Sequence, residues 1–245
     1  MAYRETDLTD QTGKVFVITG ANTGLGFETA RALAQKGGEV YLACRSEDKA
    51  QDAINKIMAL APDAKLHFLK LDLNDLMQVE EAAAAIRAIP RVDVLINNAG
   101  LMVPPLGRTL QGFESQMGVN HLGHFALVGL VLEKLMADGT RIVVLSSLAH
   151  KGGKFDWDDF HARKHYSAAQ RYQDSKLANM MFGKELERRL RKQNTDAMCV
   201  ICHPGVAATE LVRHLPKIAR WAMPLVAPFM NSAAAGAWPT LLAAT

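Results

Sequence analysis

The chain has 245 residues, of which 49% are apolar, with 28 basic and 25 acidic side chains. That suffices for one large α/β domain with a sizeable core, and an interspersed net charge of +3 argues against a nucleic-acid surface. Three cysteines cannot all pair within the chain, which fits a reducing, cytoplasmic compartment.

Residues 1–14 are polar and read neither as a signal peptide nor as a membrane anchor. Residues 14–19 predict a first buried strand. The turn Gly20-Ala-Asn22-Thr23-Gly24-Leu25-Gly26 follows it and opens a helix over 24–35. Glycines there permit a tight turn and a close backbone approach to a pyrophosphate, with the helix N-terminus aimed at the anion. Residues 39–43 form a second strand, followed by Cys44, Arg45 and Ser46, the last opening a helix over 46–60. A third strand over 65–71 ends at Asp72 and Leu73, and an alanine-rich helix covers 75–89. A fourth strand over 92–97 runs into Asn97-Asn98-Ala99-Gly100, and a long apolar helix spans 113–137 and contains Asn120. A fifth strand over 141–146 ends at Ser146-Ser147. A helix over 170–192 precedes a sixth strand over 197–202, then Pro204, Gly205 and Thr209, and a last helix begins at 232.

Alternating strands and helices predict a doubly wound parallel sheet of the Rossmann type, with about six strands and helices on both faces. No repeat or linker divides residues 1–245, so one catalytic domain is expected. The apolar runs 122–132 and 221–230 are too short to span a bilayer. Cys199-Val-Ile-Cys202 resembles a redox or metal pair, but residues three apart on a strand face opposite ways. His121 and His124 lack an acidic partner and read as packing at a helix start. His150, His161 and His165 read as loop residues, and no metal set is expected.

Tyr172 and Lys176 carry the most chemistry. Four residues apart, they share one face of a helix. A nearby ammonium is expected to draw the phenol down from its usual ~10 toward neutral pH, so that it exchanges a proton with a carbonyl or alcohol.

With the glycine turn, Asn97-Asn-Ala-Gly100, Asn120, Ser146-Ser147 and Pro204-Gly205, the chain resembles the short-chain dehydrogenase/reductase family of NAD(P)-dependent enzymes. Thr-Gly-Ala-Asn-Thr-Gly, Ala-Cys-Arg, Asn-His-Leu-Gly-His-Phe and Ser-Ser-Leu-Ala-His resemble the branch holding retinol dehydrogenases and their bacterial relatives. The resemblance implies Tyr172 as general acid or base and Ser147 as the hydrogen-bond partner of the substrate oxygen. It implies Lys176 as modulator of the phenol and holder of the nicotinamide ribose, and Asn120 as the holder of a relay water. It places Asp72 and Leu73 at the adenine, and Asn98, Ala99 and Gly100 along the adenosine ribose. Pro204, Gly205 and Thr209 fall beside the nicotinamide. It also implies a seventh strand, which the sequence to Thr245 does not supply, and a homo-oligomer paired through the two long helices.

The 24 residues between Ser147 and Tyr172 are about twice the usual family spacing, so 151–171 read as an insertion at the substrate mouth. Phe155, Trp157, Phe160 and Tyr166 either line that mouth or staple the loop. Residues 206–231 correspond to the family's lid, apolar enough to suit an apolar carbonyl or alcohol substrate. Cys44 stands where NAD-specific relatives carry a carboxylate, and Arg45 suits a 2′-phosphate, which points to NADP(H). The expected function is an NADP(H)-dependent alcohol dehydrogenase or carbonyl reductase. The alternatives are a double-bond reductase resembling protochlorophyllide reductase, or a non-catalytic NADP-binding regulator.

Overall fold

Strands β1 (Val15–Thr19), β4 (Val94–Asn97) and β5 (Arg141–Leu145) are apolar at nearly every position, as strands covered on both faces must be. A computed structural model of the chain describes residues 3–205 and 232–245. With β2 (Glu39–Cys44), β3 (Leu66–Lys70) and β6 (Met198–Cys202) these strands form one parallel sheet in the order β3-β2-β1-β4-β5-β6. The central strand β1 pairs with β2 on one side and β4 on the other. The chain therefore reverses its direction of growth beside β1, and the carboxyl ends of β1 and β4 open a crevice there.

Each face of the sheet carries its own core. Helices α1 (Gly24–Gln35), α2 (Glu47–Met58) and the C-terminal α7 (Ala233–Ala244) cover one face, burying Phe16, Ile18, Leu33, Leu42 and Leu241. Helices α3 (Leu76–Ala88), α5 (Gly123–Asp138) and α6 (Ala168–Lys192) cover the other, over Val17, Leu95, Leu127 and Val144. Cys199 packs into the second core and Cys202 against the first, opposite ways as strand alternation requires, and all three thiols are free. Side-chain caps fix the helix starts: Ser46 accepts from Lys49 N, Asp75 from Met77 N and Ser232 from Ala235 N. Among the described residues, no helix is long and apolar enough to cross a membrane.

One expected element is built differently. The helix predicted over 113–137 is three segments in line: α4 (Ser115–Met117), a π turn over Gly118–Leu122, and α5. Within the widened turn Gly123 N bonds the Gly118 carbonyl, five residues back. Here the segment presses on its neighbours. A Cβ on Gly123 would lie 2.9 Å from the Leu73 carbonyl, and the Asn120 amide reaches across to the Leu101 backbone.

Candidate active site

The glycine turn is closed on itself. Gly20 has φ +66°, in the left-handed region that glycine reaches without strain. A Cβ on Gly26 would sit 2.4 Å from the Gly20 carbonyl oxygen and 2.5 Å from Asn98 Nδ2. The turn therefore folds directly onto the loop after β4. Asn98 Nδ2 donates to the Thr19 carbonyl at 2.7 Å, and the Thr19 hydroxyl accepts from Asn98 N and Ala99 N at 2.9 and 3.0 Å. Thr23 precedes α1 without a side-chain cap bond, which leaves the first-turn N–H groups and the positive helix end at the crevice.

A cleft of about 450 Å³ runs along this crevice. Its floor is Gly20, Asn22, Thr23, Gly24, Leu25 and Gly26, faced by Asn98, Ala99 and Gly100. One end is lined by Cys44, Arg45, Ser46, Asp72 and Leu73. Cys44 is buried, with its sulfur over the Ala21 and Asn22 N–H groups, and burial pushes the thiol up to about 11. Arg45 is exposed, and its main-chain carbonyl accepts from Lys70 Nζ at 2.8 Å. Lys49, which the sequence reading passed over, lines the same end, so two cations and no carboxylate beyond Asp72 face it. Its signal was a lysine one helical turn past the arginine.

The other end is lined by Tyr172, Lys176, Ser146 and Pro204. Lys176 is buried at 6% exposure, donates to the Leu145 carbonyl at 3.3 Å, and sits 5.8 Å from the Tyr172 ring centre. The two serines diverge. Ser146 is buried and donates to the Lys176 carbonyl at 2.8 Å, which ties α6 to β5. Ser147 caps the 3-10 turn Leu148–Gly152 and hydrogen-bonds the Tyr172 phenol.

One expectation is corrected here. Lys176 was expected to draw the phenol down, yet burial pushes Tyr172 up, opposed only by the Ser147 hydroxyl. The cause is desolvation of the phenol itself; Lys176 is buried too, and burial brings it down to about 8. The Asn120 amide, expected to hold a relay water, bonds the protein itself. Nδ2 donates to the Leu101 carbonyl and Ser175 Oγ, both at 2.9 Å, and Oδ1 accepts from Leu101 N at 2.7 Å. Asn120 thereby braces the Leu101 backbone and α6. Gly205 has φ +69° just past Pro204, while Thr209 and the expected lid over 206–231 lie outside the described residues.

A family model described as short chain dehydrogenase matches residues 14–218. The chain belongs to the short-chain dehydrogenase family. It is 44% identical to human retinol dehydrogenase 12 over 232 residues, covering 94% of this chain and 72% of that protein. It is 47% identical to human retinol dehydrogenase 13 over 205 residues, covering 82% and 61%. A solved structure of an uncharacterized protein from Mycobacterium paratuberculosis matches with a TM-score of 0.82 and 37% identity, covering all of this chain and 81% of that one.

In this short-chain dehydrogenase the segment before α6 is built, not loose. The Asp159 carboxylate accepts from the backbone N–H groups of Arg163, Lys164 and His165, and Arg171 donates to the Asp159 carbonyl at 2.7 Å. Arg108 crosses from the loop after β4 to the His161 and Ala162 carbonyls. Tyr166 donates to the Pro104 carbonyl at 2.7 Å. Trp157 stacks on Phe160 at 5.7 Å and packs beside Phe155, so these aromatics staple the segment to itself. His150 donates from Nδ1 to the Ser147 carbonyl at 2.6 Å, and His121 packs between Phe125 and Phe182. No cluster of three metal-ligating side chains occurs among the described residues.

Proposed function

We propose that this protein is an NADP(H)-dependent oxidoreductase acting on an apolar alcohol, ketone or aldehyde, within one catalytic domain. The observation that carries the reading is the meeting, in one cleft, of an uncapped glycine-turn helix, two cations past β2, and the Tyr172–Lys176 pair. The nicotinamide supplies or accepts the hydride when bound. The chain's own groups bind, orient and move the proton. Ser147 hydrogen-bonds the substrate oxygen beside the phenol, and Tyr172 gives the proton in reduction and takes it in oxidation. Lys176 holds the nicotinamide ribose hydroxyls. The glycine turn holds the pyrophosphate, Asp72 and Leu73 flank the adenine, and Asn98, Ala99 and Gly100 line the adenosine ribose. Pro204 and Gly205 lie along the nicotinamide.

The names of the retinol dehydrogenase relatives support an apolar alcohol as substrate. Arg45 and Lys49 support a 2′-phosphate, because both are cations at the cleft end where a carboxylate would repel one. Steady-state kinetics over a panel of apolar aldehydes, ketones and alcohols tests the reading. A higher kcat/KM with NADPH than with NADH is expected. Exchanging Cys44 for Asp and Arg45 for a neutral residue should move the preference toward NADH by about tenfold or more, the worth of one charge-assisted contact. Equal use of both nucleotides by the unaltered protein overturns the assignment.

The three free thiols support a reducing, cytoplasmic setting. Phe125 and Met181, each 54% exposed on α5 and α6, support a homo-oligomer paired through these helices. Light scattering at micromolar concentration should report a dimer or larger, and a monomer alone contradicts the pairing.

A further inference from the structure

His124 sits on the first turn of α5 at 3% exposure, with both ring nitrogens engaged. Nδ1 is 3.1 Å from the Asn120 carbonyl oxygen, and Nε2 is 2.9 Å from the Thr19 hydroxyl. A carbonyl only accepts, so Nδ1 carries the proton. The neutral ring then accepts at Nε2, and the Thr19 O–H donates to it. That orientation leaves the Thr19 oxygen lone pairs for Asn98 N and Ala99 N. The competing acceptor for the hydroxyl, the Ile96 carbonyl, is farther away at 3.4 Å. One tautomer satisfies the whole set. Complete burial, with Lys176 and His121 as the nearby cationic groups, keeps the ring neutral down to about pH 4.

We propose that His124 is a positioning residue: as the Nδ1–H tautomer it joins the Asn98–Ala99 loop, which lines the cleft, to the Asn120 turn, which braces Leu101 and Ser175. The inference rests on the cleft's proposed dinucleotide role. A carbon of similar size in place of the ring keeps the packing but frees the Thr19 hydroxyl to turn toward Ile96. The loop after β4 then loses its fixed registration against the glycine turn, although no residue touching the dinucleotide has changed.

The test combines variants with a reading of the unaltered protein. His124→Leu should raise the NADPH dissociation constant about tenfold, and His124→Gln, which returns an acceptor near the Nε2 position, should restore it to within about threefold. Thermal unfolding run alongside separates this pattern from simple loss of fold, because a purely structural role predicts equal binding by whichever variants remain folded. Imidazole ¹⁵N shifts of the unaltered protein should show His124 as the Nδ1–H tautomer at neutral pH, whatever the variants do. An Nε2–H tautomer, wild-type NADPH affinity in folded His124→Leu, or no rescue by glutamine each overturns the inference. If the unaltered protein binds neither NADPH nor NADH, the dinucleotide reading falls instead, and the imidazole shifts still decide the tautomer.

Discussion

Replacing Tyr172 with phenylalanine is expected to lower kcat by about 10²–10⁴-fold while NADPH binding stays near normal. The ring contributes packing on α6 beside Lys176, and phenylalanine keeps that ring. What is lost is the only phenol that lines the cleft, the group hydrogen-bonded to Ser147. Because burial raises Tyr172 in the free protein, the phenol is held protonated and ready to donate, which suits carbonyl reduction at neutral pH. Alcohol oxidation needs the phenolate and should accelerate as pH rises. Paired measurements of NADPH affinity by fluorescence and of kcat decide the matter. A variant that keeps near-normal turnover removes Tyr172 from the chemistry.

Lys176→Met should do something less intuitive: weaken turnover and dinucleotide binding together, yet stabilise the free protein at pH 7. The lysine's value near 8 lies below its ordinary 10.5, so the folded state holds this proton less well than the unfolded state. The penalty is fully present below about pH 8 and vanishes as pH rises past the unfolded value. Its size is on the order of 3 kcal/mol at neutral pH, at 1.36 kcal/mol for each pKa unit. Methionine fills the space of the aliphatic stem without that penalty. The Leu145 carbonyl is not orphaned, because Asn179 Nδ2 also donates to it at 3.1 Å. Urea unfolding of both proteins should show the methionine variant ahead at pH 7 and the gap closing toward pH 10.5. A methionine variant less stable than its parent at pH 7 contradicts the account. Such a result would also show that the buried ammonium is better compensated than its long hydrogen bond to the Leu145 carbonyl suggests. The residue is then one that function keeps at the expense of stability.

The parallel sheet was legible because its signals are local. Most of the short apolar runs ended in Gly, Asn, Asp or Ser with a helical period after them, and every strand lies within two residues of its expected bounds. The glycine turn and the Tyr172–Lys176 spacing were legible for the same reason. What escaped the sequence depends on contacts between distant segments. The π turn at Gly118–Leu122 exists where Asn120 meets Leu101 and Gly123 meets Leu73, and no periodicity announces it. His124 read as packing, because the hydroxyl and carbonyl it joins come from β1 and from its own preceding turn. The Tyr172 phenol was misjudged because spacing alone gives the distance to Lys176 but not the burial of the phenol itself. The aromatics before α6 left two options open, and their mutual stacking came from the fold and not from spacing.

The Thr19 hydroxyl receives its N–H donors from residues 79 and 80 positions farther along the chain. The last strand needed to complete the nucleotide cradle, β4, pairs with β1 only after β2, β3 and three helices have been synthesised. Closing a loop of that length before any contact rewards it is slow, so the cradle forms late in folding and as part of the global transition. A nascent chain that has not yet released Asn98 from the ribosome has a glycine turn but nothing for it to close against. Nucleotide present during refolding should therefore slow unfolding of the finished protein far more than it speeds the assembly of the sheet.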